Sequence, residues 1–446
     1  MNVLILGAGE IGYLLSSKLI LRNYNITIIE QDEQKVKRAS DNLDANVILG
    51  NATNFSLLKK LKIHSFDIIA AVTNNDEINI LASLIAKKSG VKTAITRVRN
   101  PEYIAKDFVL NNFEHSPDLI IHPEKETAKV ISRLVKTSFA TDFYDLEDGR
   151  IKIVGLRLDR YFEHYNVKLM HLTPLLQNLP MRILAINRSL KTIIPKGDDT
   201  LQKGDQIYVI FESKYTTTVL DFFGKKDIKI NNAMIVGGGL VGEYTAQELE
   251  DKINVKIIEN APSKLKLLAQ NLKKSLIIEG DGTDQELLMS ENISEMDEFI
   301  AVSGDDETNI ITSMLARQLN VPRTITLLKK MEYLKVTHSI GLDTVVSKQI
   351  ITVNSIRQFI HRRTYTTFAE LPGIDGIISE MIAKKNTKLV KNQLKDIKLP
   401  EDVIFGAVVK SDNSVEISTG STRIEPGDKV IVFYKPEIQR EIEKMF

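Results

Sequence analysis

The sequence predicts an α/β protein made by internal duplication: two doubly wound parallel-sheet domains, each followed by a small α+β domain. Three observations predict it. Short apolar runs alternate with helical patterns from the second residue onward, a glycine fingerprint closes the first run at Gly7, and the same fingerprint returns at Gly237 with its surroundings. Taken in order, Asn2 to Leu6 reads as a strand and a helix follows from about Glu10 to Leu21. Further elements alternate as strand 26–30, helix from about 33, strand 46–49, strand 67–73, helix 77–88 and strand 93–98. Apolar runs joined by helix-length stretches are the pattern of a parallel sheet covered on both faces, because each parallel crossover needs a helix to return the chain. Asp118 to Ile121 adds an edge strand.

Beyond that sheet the pattern changes. Ile151 to Arg157 is strand-like, the middle contains proline, and Gly-Asp turns precede Gln206 to Phe211, which fits a small α+β domain. The polar, Lys-rich stretch from about Ser213 to Asn232 reads as the connection between halves. The second half then keeps step with the first. Gly7-Ala8-Gly9-Glu10-Ile11-Gly12 recurs as Gly237-Gly238-Gly239-Leu240-Val241-Gly242, and Ile29-Glu30 as Ile258-Glu259. Gly50-Asn51-Ala52-Thr53-Asn54 recurs as Gly280-Asp281-Gly282-Thr283-Asp284, and Asp76-Glu77-Ile78-Asn79-Ile80 as Asp306-Glu307-Thr308-Asn309-Ile310. The later turn Lys203-Gly204-Asp205 returns as Pro426-Gly427-Asp428, so the small domain is duplicated as well. One duplication accounts for all of this. It places domains at 1–138, 139–222, 231–363 and 364–446.

The bulk properties exclude several classes. With 59 basic against 58 acidic residues the chain has no net field to gather nucleic acid or anionic lipid, so no nucleic-acid partner is expected. The absence of Cys removes disulfides, thiol nucleophiles and thiolate metal sites, and seven His leave little for a metal centre. The longest apolar runs, such as Ile68 to Val72 and Val430 to Tyr434, are five residues, against about 20 needed to cross a bilayer. No span of its own is expected. The chain also enters a strand at once without a secretory signal, which reads as cytoplasmic.

Glycines at this spacing are often only turns, so context decides. Here the fingerprint follows a strand, opens a helix, and is followed by a second strand that ends in an acid, Glu30, 18 residues beyond Gly12. Gly7 allows the tight turn, Gly9 lets backbone N–H groups approach a pyrophosphate, and Gly12 allows close helix-to-strand packing; the phosphates lie over the helix N-terminus. The parallel-sheet domains are therefore Rossmann-like. Glu30 is placed to accept the adenosine ribose hydroxyls and to repel a 2′-phosphate, which favours NAD over NADP. Gly237, Gly238, Gly239, Leu240, Val241 and Gly242 with Glu259 repeat the arrangement. Ligands of open α/β sheets lie at the carboxyl ends of strands near the switch point, so Asn51, Ala52, Thr73 and Asn74, with Asp281, Gly282, Ser303 and Gly304, are expected to line the crevices. The plain alternative is that these are short polar turn residues. Arg97 and Arg99 end the fifth strand, within reach of the pyrophosphate or a second ligand; the alternative for Arg97 is an intersubunit salt bridge. Leu327 and Leu328, then Lys329 and Lys330, stand there in the second half, so the sites are not equivalent.

Hydride transfer needs a proton donor or acceptor besides the cofactor. No catalytic set is visible: His115, His122 and Lys125 are not repeated in the second half and read as structural or surface groups. The apolar stripe of Ile350, Ile351, Val353, Ile356, Phe359 and Ile360 is either core or a dimer face.

With Ala71-Val72-Thr73-Asn74-Asn75-Asp76-Glu77, Ala301-Val302-Ser303-Gly304-Asp305-Asp306-Glu307, Asp284 to Leu288 and Leu399 to Val409 added to the first fingerprint, the sequence resembles the TrkA family over nearly all of its length. These are the peripheral subunits of bacterial Trk potassium transporters. The resemblance implies tandem nucleotide-binding RCK N-type and smaller C-type domains, assembled as a homo-oligomeric ring on the cytoplasmic face of an integral membrane potassium-translocating subunit of the TrkH/TrkG kind. It implies NAD(H) or ATP/ADP as ligands that bias the ring between two shapes, with no catalytic residues. Asn51 stands where the second half has Asp281, which leaves open whether the two sites take different nucleotides. The alternatives are an NAD-dependent dehydrogenase and a regulator of cation efflux.

Overall fold

The computed structural model describes residues 1–446 apart from 22–23, 106, 138–139, 160, 173–178, 189–190, 226–228, 331, 334–341, 363–366, 371–373 and 386. The expected domain limits at 138/139 and 363/364 lie outside the described residues. The chain divides into two compact units. One holds Met1–Val130, Met234–Glu295 and Phe299–Phe359; the other holds Ile131–Ala233, Met296–Glu298 and Ile360–Phe446.

The first unit contains both parallel sheets. Strands β1 (Asn2–Leu6), β2 (Asn25–Glu30), β3 (Asn46–Leu49), β4 (Ile68–Ala71), β5 (Thr93–Arg97) and β6 (Leu119–Ile121) line up as β3-β2-β1-β4-β5-β6. Val3, Leu4, Ile5 and Leu6 are all completely buried, as a central parallel strand with helices on both faces requires. The register sets Leu6 beside Ile29 and Ala71, so the ends of β1, β2 and β4 finish together. Gly7, Glu30 and Val72 therefore emerge side by side at the switch point between β1 and β4. The crossover helices start on side-chain caps. Asp32 accepts from Gln34 and Lys35, and Asn75 from Ile78, which satisfies N–H groups the helix itself leaves open. The short helix Phe55–Lys60, capped by Asn54, adds an element that the apolar pattern does not mark.

In the second half β12 (Asn232–Val236), β13 (Asn254–Glu259), β14 (Leu276–Glu279), β15 (Glu298–Ala301), β16 (Thr324–Leu327) and β17 (Thr344–Val346) repeat the order. Of the apolar stripe on the helix Lys348–Arg362, Val353, Ile356 and Ile360 are buried, while Ile350, Ile351 and Phe359 are half-buried.

The second unit contains both small sheets. The first runs β10-β9-β11-β8-β7, from β7 (Asp142–Leu146), β8 (Ile151–Arg157), β9 (Met181–Arg188), β10 (Lys191–Ile193) and β11 (Gln206–Glu212). The second runs β18-β19-β22-β20-β21, from β18 (Thr367–Glu370), β19 (Ile377–Ile382), β20 (Val403–Val409), β21 (Val415–Ile417) and β22 (Lys429–Tyr434). One core serves both: Ile151, Ile153, Tyr208 and Ile210 share a buried cluster with Ile378, Val409, Ile431 and Phe433. The outer face of the first sheet, Val154, Val209 and Phe211, packs on Val219, Leu220 and Phe223. Alternate residues of β11 thus enter two cores, which is why Ile207 to Phe211 reads as an unbroken apolar run.

Those last contacts correct the reading of Ser213 to Asn232 as connection. Its first part is the helix Thr216–Phe222, whose Val219 and Leu220 belong to the core while Thr217 and Thr218 face outward. Three β-branched threonines, weak helix formers, disguise it in the sequence.

A repeated turn holds each small sheet. Gly204 and Gly427 adopt φ +89 and +97, and the next residue, Asp205 or Asp428, turns its carboxylate inward. Asp205 accepts two bonds from Arg188, at 2.8 and 2.7 Å, and one from the backbone of Gln202. Asp428 accepts from Lys410 and Glu425, each at 2.9 Å. Asp205→Ala is expected to cost about 2 kcal/mol in urea denaturation, since charged hydrogen bonds are lost and Arg188 keeps no carboxylate there.

Candidate nucleotide site

Each crevice begins at a backbone turn. Gly7 lies at φ +99 and Gly237 at φ +110, in the region that glycine adopts without strain. A Cβ on Gly7 would come within 3.1 Å of the Thr73 backbone, and one on Gly237 within 2.7 Å of Ser303. Gly12 and Gly242 are tighter still, for a Cβ on either would stand 1.9 Å from the carbonyl oxygen of Gly7 or Gly237. Gly9 and Gly239, which cap the helices Glu10–Ile20 and Leu240–Leu249 without any side-chain bond, have nothing within 4 Å of such an atom. Two glycines of each fingerprint thus close the fold, and the middle one leaves space before a helix N-terminus.

The acids at the ends of β2 and β13 are held alike. Glu30 accepts from the backbone of Ala8 at 2.6 Å, Gln31 at 2.8 Å and Asp32 at 3.1 Å. Glu259 accepts from Gly238 at 2.8 Å, Asn260 at 3.0 Å and Ala261 at 2.9 Å. Burial pushes the Glu259 carboxyl up, but these bonds and Lys264 more than offset it and leave it below the usual range. The halves differ beside the acid. Lys264 approaches Glu259 to 3.2 Å, whereas Lys35 stands 3.8 Å from Asp32. The second helix begins after Ala261, which offers no carboxylate in place of Asp32. The position between the first two glycines also differs, since a side chain at Gly238 would meet Leu268 at 2.6 Å and Glu259 at 2.9 Å.

The remaining expected residues fall into two groups. Thr73 and Ser303 stand over the turns at Gly7 and Gly237. Asn51 and Asp281 instead form turns of their own, each side-chain oxygen taking the N–H and O–H of Thr53 or Thr283 at 2.8 Å. An amide and a carboxylate therefore serve equally as acceptors there. Ala52 is buried against Leu6 and Ile29, and a Cβ on Gly282 would meet Val236 at 2.3 Å, so these two pack beneath the crevice. Gly304 is open. Glu10 is drawn to Arg38 at 2.9 Å, with that guanidinium 4.4 Å over the Tyr13 ring, whereas Leu240 stands at the matching position. Ile11 and Val241 are buried on the inner helix face.

Arg97 is buried and donates to the Thr73 carbonyl at 2.9 Å and to Asn74 at 3.0 Å. In the second half Leu327 is buried, and Lys329 reaches the Gly304 carbonyl instead. The two crevices share a cation on the loop after the fourth strand, supplied from different positions.

Sequence reasoning passed over Asn79 and Asn309 as site residues. Both are completely buried. The Asn79 oxygen accepts the Thr73 N–H at 3.0 Å and O–H at 2.7 Å, and its nitrogen donates to the carbonyls of Thr73 at 3.1 Å and Arg97 at 2.9 Å. Asn309 likewise accepts the Ser303 N–H at 2.8 Å and donates to the carbonyls of Ser303 and Leu327, at 3.2 and 2.9 Å. The available signal was the repeated Asp-Glu-x-Asn, in which the Asn recurs without any exposed role. Asn79→Ala is expected to cost about 2 kcal/mol and to loosen Thr73, seen as faster amide exchange at Thr73 and Asn74.

His122 lies in the interior with its ring 5.5 Å from that of Tyr244, and His115 stands edge-on to Phe113. Among the described residues no helix is long and apolar enough to cross a membrane.

Residues 3–110 and 233–348 each match the TrkA-N domain, and residues 378–446 match the TrkA-C domain. The Trk system potassium uptake protein TrkA homolog of Archaeoglobus fulgidus is 33% identical, with 100% of both chains covered. The chain belongs to the TrkA family. The TrkA of Azorhizobium caulinodans is 28% identical over 100% of this chain and 98% of its own. Membership in the TrkA family places the chain among proteins of a transport system rather than among enzymes. Solved structures agree on the fold: the GsuK channel superposes with a TM-score of 0.63 at 16% identity, covering 100% of this chain and 78% of that one. The GsuK channel bound to NAD superposes at 0.61 and 16%, with the same coverage.

Proposed function

We propose that this TrkA-family chain is the nucleotide-sensing subunit of a potassium uptake system, holding NAD(H) or ATP/ADP in each parallel-sheet half and passing the occupancy to an integral membrane partner of the TrkH/TrkG kind. The observation that carries it is the pair of glycine turns, each leaving a helix N-terminus open beside a buried acid. Backbone N–H groups there suit phosphate oxygens, and the acid suits a ribose diol. Solved structures of like fold described as bound to NAD and to ADP support the choice of ligands. In this reading residues 1–138 and 231–363 are the sensing domains and 139–222 and 364–446 their small companions. The protein works as a homo-oligomer on the cytoplasmic face of the membrane, where its partner lies.

A nucleotide moves such an assembly only if it binds two shapes with different affinity. Calorimetric titration of the full chain with NADH, NAD and ATP tests the first step. Saturable binding in the wild type is expected, with one site lost in Gly9→Ala/Glu30→Ala and the other in Gly239→Ala/Glu259→Ala. Potassium flux through vesicles carrying the membrane subunit tests the second. Flux that ignores saturating nucleotide would sink the gating role.

A further inference from the structure

Glu124 is the second residue of the helix Pro123–Lys136 in the first half and is 3% exposed. It meets Lys348 of the second half at 2.8 Å and Arg99 of its own half at 3.3 Å. His122 lies 3.5 Å from its other oxygen. The His122 Nδ1 accepts the Lys125 N–H at 3.2 Å, and burial lowers the imidazole's proton affinity despite Glu124. Burial pushes the Glu124 carboxyl up, but Lys348 and Arg99 overcome this and hold it below the usual range.

This cluster is not part of the duplicated plan. Matching β6 to β17 sets Pro123 against Lys348 and Glu124 against Gln349. Each half therefore contributes one charge that its copy lacks. A buried ion pair adds little net stability over an apolar pair, so a contribution to folding alone does not explain it.

The neighbours of Glu124 lead to both crevices. Arg99 has its backbone N–H on Asp76 at 2.8 Å, at the start of the helix whose cap follows Thr73 and Asn74. Its side chain is 53% exposed, and Arg97, two residues earlier, grips Thr73 and Asn74. On the other side, His122 packs edge-on against Tyr244 of the helix that opens at Gly239. We propose that Glu124 is a positioning residue coupling the two crevices: an anionic nucleotide in the first competes with Glu124 for Arg99 and leaves the carboxylate to Lys348 alone. The seam between the halves then tightens, and the second crevice responds through Lys348 and Tyr244. By linkage the second ligand acts on the first with the same factor. The proposal rests on the reading of the crevices as nucleotide sites.

The test is calorimetric titration of the full chain with NADH, taking the second-site affinity with the first site filled and with it disabled by Glu30→Ala. A coupling factor of about fivefold or more is expected in the wild type. Glu124→Gln should bring it to about one and tighten the first site, because Arg99 no longer leaves a carboxylate. Lys348→Met should weaken the first site, because Glu124 then holds Arg99 alone. A merely structural role would weaken binding in both variants. Independent sites in the wild type, or shifts of the same sign in the two variants, would overturn the proposal. Absence of NADH binding at both sites would instead overturn the nucleotide reading beneath it.

Discussion

Gly12→Ala should lower the stability of the parallel-sheet unit by about 3–5 kcal/mol and abolish nucleotide binding in the first half. The added methyl would lie 1.9 Å from the Gly7 carbonyl oxygen, and that oxygen belongs to backbone that cannot swing aside. The helix Glu10–Ile20 would have to move off β1, although Ile11, Leu15 and Leu19 of that helix are buried against the sheet. Gly242→Ala should do the same to the second half, where the distance to Gly237 is again 1.9 Å. Gly9→Ala is the informative contrast. Nothing stands within 4 Å of its new atom, so its urea denaturation should match the wild type within about 0.5 kcal/mol while ligand affinity falls. Equal loss of stability in Gly9→Ala and Gly12→Ala would show that the three glycines do not divide their roles in this way.

Asp142→Asn is expected to stabilise the small-sheet unit by up to about 3 kcal/mol at pH 7. Asp142 accepts hydrogen bonds from Tyr208 at 2.8 Å, Gln206 at 2.9 Å and Thr141 at 3.1 Å, yet burial outweighs them and raises its carboxyl to about 6. The folded state thus holds its proton more tightly than the unfolded chain, whose value is 3.8. Its contribution is complete below that value, is lost as pH rises towards 6, and is level above. The asparagine keeps an acceptor for the same three donors and never ionises. The difference between the two melting curves should therefore widen between pH 4 and 6 and stay constant from 7 upward. A difference that does not change over that range would show that Asp142 ionises freely in the folded protein.

Both predictions turn on residues of unequal legibility. The glycines and Glu30 were legible because a strand, a tight turn, a helix and an acid at fixed spacing rarely coincide by chance, and because the set appears twice. Asp142, by contrast, is one aspartate among many until Tyr208 and Gln206, more than 60 residues on, are folded against it. Asn79 lay in a repeated motif but carried no sign of its role, since an asparagine after Asp and Glu at a helix start passes for capping. Lys264 and Lys35 occupy matching places in sequence, and what separates them is the acid three residues earlier, Asp32 against Ala261. The pairing of Glu124 with Lys348 spans 224 residues and joins positions that are not equivalent in the repeat, so periodicity could not find it. Patterns repeated along the chain were readable; contacts between the copies were not.

The shared core of the small sheets has a consequence for synthesis. Ile153, Tyr208 and Ile210 are covered by Ile378, Ile431 and Phe433, which leave the ribosome only after some two hundred further residues. At about 5–20 residues per second the nascent first half presents an uncovered apolar sheet for roughly ten seconds or longer. During that interval the face it offers best fits a copy of its own partner sheet, including one on a neighbouring chain. Chains made on one messenger are thus poised to exchange halves, and a gene cut between them would yield two fragments whose small sheets complete this core only when they meet.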